Sequence, residues 1–321
     1  MKISVVTESQ ARDLVTMAHA IQLVEAAFVS LAKGQSQLFP AVRGRGSDPG
    51  TRLGVKAGYD ADRRIPGLKV GSYWPGNVAK GLEAHGSTTL LLNDETGFPD
   101  ALIAATHLNA LRTAASDAVA VKHLARPDAN VLAVVGSGHQ SYWEALAVAE
   151  VRTLSQVWVC ARNAAAAESL AARLVEAGLP ARTGAIETAL PKADIVCTVT
   201  AARQPLFPAS LISPGTHISA MGADGPGKQE LDPTLFANAA LWADAPEQSA
   251  VIGEFQHLPA ALNAPIQAIG ELIMGHLPGR SGSDAITIYD SSGVALQDLA
   301  ICAFALERAR ATGVSLTLDL G

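Results

Sequence analysis

The segment Val131-Leu132-Ala133-Val134-Val135-Gly136-Ser137-Gly138-His139-Gln140-Ser141-Tyr142 constrains the fold more than any other part of the chain. Five apolar residues in a row read as a strand buried on both faces. A pair of glycines breaks the run, and Tyr142 to Ala149 then reads as a helix. The rhythm repeats downstream. Val157-Trp158-Val159-Cys160 supplies a second strand and Ala164 to Ala177 a second helix. Asp194 to Val199, Thr216 to Met221 and Ala240 to Ala243 continue the series. Strands that alternate with helices connect by right-handed crossovers and build an open parallel sheet.

The glycine spacing fits the dinucleotide fingerprint G-x-G-x-x-G/A, with Ser141 in the third small position. Gly136 permits the tight turn, and Gly138 lets the backbone approach a pyrophosphate seated on the helix N-terminus. His139 and Gln140 follow directly, beside that anion. The second strand ends in Cys160-Ala161-Arg162-Asn163 and carries no carboxylate for a ribose hydroxyl. Arg162 can pair with a 2′-phosphate or stack on an adenine, so NAD(H) and NADP(H) both stay open.

Ahead of this region the pattern is different. Thr7-Glu8-Ser9-Gln10 supplies helix-capping groups, and Ala18 to Leu31 is apolar at helical spacing, so the opening reads as helix. Gly34 to Gly58 mixes turn-formers with Arg43, Arg45, Arg52 and Lys56 and reads by itself as a solvated loop. Leu68 to Tyr73, Ser87 to Leu92 and Ala101 to Ala104 form an expected antiparallel meander, with a turn at Asn93 to Gly97. A long helix runs from Thr106 or His107 to about Leu124 and is closed by Arg126-Pro127-Asp128. The domain boundary falls near residues 120 to 130. The fold class is α/β: a Rossmann-like parallel-sheet domain over 123–295 and an α+β domain over 1–122.

Composition narrows the function classes. With 49% hydrophobic and 17% charged residues the chain is globular rather than disordered. A net charge of −6 gives no electrostatic reason to bind nucleic acid. No apolar run approaches the roughly 20 residues that span a bilayer, and the opening turns polar too early for a signal peptide. Cys160, Cys197 and Cys302 lack metal-ligand spacing, so neither a disulfide framework nor a metal centre is expected. The provisional class is a cytoplasmic protein.

Several segments together resemble the ornithine cyclodeaminase/μ-crystallin family. They are Pro40 to Arg43, Gly67 to Val70, Pro75-Gly76-Asn77 with Lys80-Gly81-Leu82, Leu111 to Ala115, the glycine fingerprint, Gly222 to Lys228 and Ser291-Ser292-Gly293. The resemblance implies a homodimer whose first domain, completed by a C-terminal helix over 296–321, binds substrate and pairs with a partner. It also implies hydride exchange at the α-carbon of an amino acid or its imine. Members include ornithine and lysine cyclodeaminases, alanine dehydrogenases, cyclic ketimine reductases, other imino-acid reductases, and crystallin-type proteins with little turnover. By the same resemblance Arg43, Lys69 and Arg112 hold the substrate carboxylate, as suits bidentate recognition. Asp224 and Lys69 are the catalytic positions, with Asp224 near the imine nitrogen. Arg112, Thr113, Thr198, Met221 and Ser292 join the glycine turn and Arg162 as cofactor-binding positions.

One position departs from the family pattern. Cyclodeaminases carry a glutamate where this chain has Lys56, placed to hold a distal amine. A cation facing the pocket inverts the preference and attracts a second carboxylate, whereas the alternative has Lys56 point to solvent or contact a cofactor phosphate. The expected reaction is reduction of a small 2-imino dicarboxylate, iminosuccinate to aspartate, as in the family's iminosuccinate reductases.

Overall fold

The computed structural model describes residues 2–321. It divides into two compact units, Met1–Arg112 with Val294–Gly321, and Thr113–Gly293.

The first unit opens with strand β1 (Lys2–Val6), then helices α1 (Glu8–Leu14) and α2 (Met17–Ala32). Both helices start on capping boxes, Thr7 with Gln10 and Thr16 with His19, which satisfy backbone N–H groups that have no partner within the helix. β1 corrects the all-helical reading of the opening. Its alternation is short, and the capping signal after it dominates the pattern. Five more strands and an outlier follow: β2 (Gln37–Leu38), β3 (Val42–Gly44), β4 (Arg52–Asp60), β5 (Ile65–Tyr73), β6 (His85–Leu92) and β7 (Pro99–Ala104). The stretch from Gly34 to Gly58 is therefore about half strand rather than a solvated loop throughout. β4 earns its place by pairing along its whole length with β5, from Arg52 opposite Tyr73 to Asp60 opposite Ile65. β5, β6 and β7 form the expected antiparallel meander. α3 (Thr106–Leu124) leads out of this unit.

The second unit holds β8 (Val131–Val135), α4 (His139–Val151), β9 (Gln156–Cys160), α5 (Ala164–Glu176), β10 (Ala181–Thr183), α6 (Ile186–Ala189), β11 (Ile195–Thr198), β12 (His217–Ala220), β13 (Ala239–Ala243), α7 (Pro246–Ile252), β14 (Ile266–Ala268), α8 (Ile269–Ile273) and β15 (Ile286–Asp290). Its sheet runs β10-β9-β8-β11-β12-β15-β13-β14, and every pairing is parallel. The order runs one way from β8 to β10 and the other way from β11 onward, so the switch point lies between β8 and β11. Sequence reading missed β10, β14 and β15. β15 ends Ile286-Thr287-Ile288-Tyr289-Asp290, and those polar groups hide a strand at the centre of the sheet.

The chain then returns to the first unit through α9 (Ala295–Thr312) and β16 (Leu316–Asp319). β16 pairs with β1, and the first sheet runs β16-β1-β7-β6-β5-β4-β2, with β3 on β4. α9 lies on β4 and β5, where two glycines permit close approach. A Cβ on Gly67 would stand 2.7 Å from Leu299 Cδ2, and one on Gly58 would stand 3.2 Å from Leu296 Cδ1. Among the described residues no single helix is long and apolar enough to cross a membrane.

Candidate active site

Strand register decides which side chains share a face. Residues directly opposite on paired strands point the same way, as do residues two apart on one strand. Lys56 on β4 stands opposite Lys69 on β5, and Arg43 on β3 stands opposite Gly54 on β4. Arg43, Lys56 and Lys69 therefore occupy one face of the first sheet. Gly58 and Gly67 lie on that face too, and there α9 packs against the sheet. Farther along, a Cβ on Gly54 or Gly71 would meet only backbone oxygen at 3.9 to 4.0 Å, so that end of the face is open. Arg43 is exposed, Lys56 half-buried and Lys69 only 6% exposed.

Burying Lys69 without a counter-charge would cost several kcal/mol. The structure supplies one that sequence reading missed. Asp298 on α9 forms ion pairs with Lys69 Nζ at 2.7 Å and Arg112 Nε at 3.0 Å. Asn109, one helical turn before Arg112 on α3, accepts hydrogen bonds from Lys69 Nζ and Arg112 Nη2, both at 2.8 Å. Gln297 accepts from Arg112 Nη1 at 3.1 Å. Burial, then the Arg112 charge, brings the Lys69 ammonium down to about 7; Asp298 opposes the fall and Lys56 adds to it. Burial works against the Asp298 carboxylate, yet Arg112, Lys69 and Lys56 overcome it and hold the group below its usual range. The available signal was a lone carboxylate, beside Gln297, among the apolar residues of Ala295-Leu296-Gln297-Asp298-Leu299-Ala300.

The second unit carries the glycine turn. Gly136 has φ +139°, and a Cβ there would lie 2.7 Å from the carbonyl oxygen of Val199. Around Gly138 nothing lies within 4 Å of an added Cβ. Gly138 is also the N-cap of the 13-residue helix α4 and offers its first N–H groups no side-chain acceptor. Open space and the positive end of a helix dipole suit a pyrophosphate. The turn follows β8 at the switch point of the sheet, so the residues present fit a dinucleotide. His139 is exposed and accepts a hydrogen bond from Trp143 Nε1. Gln140 donates to the buried Glu144 at 2.9 Å. Arg162 is exposed just past β9, while Asn163 beside it caps α5.

Other expected positions have more structural surroundings. Thr198 is fully buried and donates to Glu230 at 2.8 Å. Glu230 also accepts from Thr200 N and Oγ1 and from Gly222 N. Glu230 thus ties together the loops after β11 and β12, and the Thr198 hydroxyl proton is already committed to it. Ser292 donates to Asp244 at 3.1 Å and accepts from Gln248 at 2.8 Å. Met221 is buried at the end of β12, and Thr113 is half-buried on α3. Asp224 is exposed and pairs with Lys228 at 2.6 Å, whose ammonium also donates to the Gly222 carbonyl. Cys197 comes within reach of the buried Asp117 and Glu144, their ligand atoms all within 4.8 Å. Burial pushes Asp117 up to about 6 and the Cys197 thiol well above its ordinary value. Burial thus favours the neutral, proton-carrying forms of both groups.

A parallel sheet with a glycine turn at its switch point, joined in one chain to a mixed sheet bearing a buried cation cluster, defines a Rossmann-like α/β protein with a second α+β unit. The chain belongs to the ornithine cyclodeaminase/mu-crystallin family, whose model matches residues 1–313. It is 38% identical to the iminosuccinate reductase of Paracoccus denitrificans over 98% of this chain and 99% of that protein. The crystal structure of that organism's iminosuccinate reductase in complex with NAD+ matches with a TM-score of 0.92 at 36% identity, covering 100% of both chains. An archaeal alanine dehydrogenase dimer with bound NAD matches with a TM-score of 0.93 at 32% identity, again over 100% of both chains. The Δ1-pyrroline-2-carboxylate reductase of Thermococcus litoralis, with NADH and L-proline, gives a TM-score of 0.91 at 28% identity, covering 98% of this chain and 99% of that one.

Proposed function

We propose that the chain is an NAD(P)H-dependent imine reductase acting on a small 2-imino dicarboxylate, with iminosuccinate as substrate and aspartate as product. The observation that carries this reading is the placement of Arg43, Lys56 and Lys69 on one sheet face, over an open glycine floor. A monocarboxylate does not need that many cations. Similarity to the Paracoccus enzyme and its NAD+ complex supports the same substrate and cofactor class.

When bound, the reduced nicotinamide supplies a hydride to the imine carbon. The chain's own groups do the rest. Arg43, Arg112 and Lys69 hold the carboxylate next to that carbon, and Lys56 draws in the distal one. Asp298 and Asn109 occupy two of the three ammonium protons of Lys69, which leaves one for a ligand. Asp224, held by Lys228, is the carboxylic acid that manages the proton on nitrogen. In this reading the first unit binds the acid and mediates a homodimer in the cytoplasm. The second binds the nucleotide through Gly136, Gly138, His139, Gln140 and Arg162, with Thr113, Met221 and Ser292 lining its edge and no metal taking part.

Cofactor oxidation with oxaloacetate plus ammonia, set against pyruvate plus ammonia and a cyclic ketimine, tests the proposal with NADH and with NADPH. The dicarboxylate should be preferred by at least tenfold in kcat/KM. Equal rates with pyruvate would make the chain an alanine dehydrogenase type and remove the role given to Lys56. Preference for the ketimine would place it with the cyclic imine reductases, and cofactor binding without turnover among the crystallin-type members.

A further inference from the structure

Asp298 stands in a position that the reaction itself does not explain. It is buried between two cations on different elements, Lys69 on β5 and Arg112 on α3, and it enters from a third, α9. The two contacts use different carboxylate oxygens, Oδ2 for Lys69 and Oδ1 for Arg112. One acid therefore sets the distance between the two groups that receive the substrate carboxylate. It also offsets part of their charge. We propose that Asp298 is the positioning residue that spaces Lys69 and Arg112 and keeps Lys69 in its ammonium form for carboxylate binding. This inference rests on the reading of the cation cluster as an acid-binding site.

The surroundings of Lys69 make the dependence sharp. Lys56 faces it from β4 and Arg112 from α3, both cations that disfavour a third positive charge. Asn109 offers a neutral carbonyl oxygen. Cys302, on α9 near Thr89 of β6, has its thiol pushed up to about 12 by burial and carries no charge at neutral pH. Asp298 is thus the anion that holds a proton on Lys69. With Lys69 brought down to about 7 while Asp298 is present, removing the acid should carry the titration well below neutrality.

The test is the pH dependence of succinate binding, followed by calorimetry in the presence of NAD+ from pH 5.5 to 9. Succinate is an unreactive dicarboxylate, so the readout does not require turnover. The native chain should lose affinity with a midpoint near 7, and Asp298→Asn should move that midpoint down by about one unit or more. From the acid plateau to pH 7 the variant then loses about tenfold in affinity and the native chain about twofold. Asp298→Glu should restore the native midpoint, because it restores the charge. Should Asp298→Asn not fold, Asp298→Ser gives the same neutral change with less bulk. A variant that binds uniformly more weakly, with the native midpoint, would assign Asp298 to packing alone and overturn the inference. So would native binding that does not change across this range. Acetate separates the two claims. If succinate binds no better than acetate, the dicarboxylate proposal fails, while the midpoint followed with acetate still decides the part played by Asp298.

Discussion

Lys56 and Lys69 stand directly opposite each other on adjacent antiparallel strands. Like charges in this arrangement repel, and a sheet ordinarily avoids it. Here the arrangement is tolerated because Asp298 pairs with Lys69 from above the sheet. Under the proposed function, the pairing links a local cost in stability to selectivity for charge.

Lys56→Glu should therefore reverse the selectivity. Reduction with oxaloacetate and ammonia is expected to fall by at least a hundredfold in kcat/KM, while the dissociation constant for NADH changes less than threefold. Steady-state kinetics and fluorescence titration measure the two quantities. Equal losses would assign Lys56 to the nucleotide.

The Lys69 ammonium also predicts how stability varies with pH. Its folded value of about 7 lies below the ordinary 10.5, so between those values the unfolded chain binds more protons. Stability from this group rises with pH in that window, by at most about 1.4 kcal/mol per unit. Urea unfolding of the native chain and of Lys69→Met at pH 7 and pH 9 should show the native chain gaining on the variant at the higher pH.

His217 gives the same sign in a more acidic window. It is fully buried between Thr287 and Ser219, and burial brings it down from 6.5 to about 3. The unfolded chain takes up a proton below 6.5 that the folded chain refuses, so stability is lost as pH falls from 6.5 toward 3. In His217→Gln that part of the acid limb should disappear, and unfolding midpoints measured at pH 7 and pH 5 should differ less than in the native chain.

The two glycines of the turn should separate folding from binding. Gly136→Ala places a Cβ 2.7 Å from the Val199 carbonyl oxygen at a φ of +139°, and a loss of about 2 kcal/mol or more in stability is expected. Gly138→Ala meets open space, so its melting temperature should stay within a few degrees. Its NADH affinity should fall by about tenfold or more, because under the proposed function the methyl group would enter the space left for the pyrophosphate. Thermal denaturation and fluorescence titration distinguish the two outcomes.

Much of the parallel sheet was legible because a strand buried on both faces must be apolar almost throughout, as β8, β9 and β11 are. β15 escaped notice because Thr287, Tyr289 and Asp290 satisfy their polar groups in the interior through partners distant in sequence, such as His217, Ser116 and Ser249. β4 was hidden for another reason. Its glycines at 54 and 58 serve the open floor and the approach of α9, and in sequence they look like turn residues. Lys69 and Arg112 were named from family likeness, but Asp298 lies more than 180 residues beyond Arg112, and only folding brings the two together. Thr198 and Ser292 stand near the expected region, yet their hydroxyls are spent on Glu230 and Asp244.

The unit that carries the cations is assembled from both ends of the chain, since α9 and β16 return to it after the whole of the second unit. A nascent polypeptide emerging from the ribosome can thus complete its contiguous parallel sheet first, while Lys56, Lys69 and Arg112 still lack their balancing anion. The amino-terminal unit should stay loosely organised until α9 and β16 are released, and the order of synthesis then fixes the order in which the two units mature.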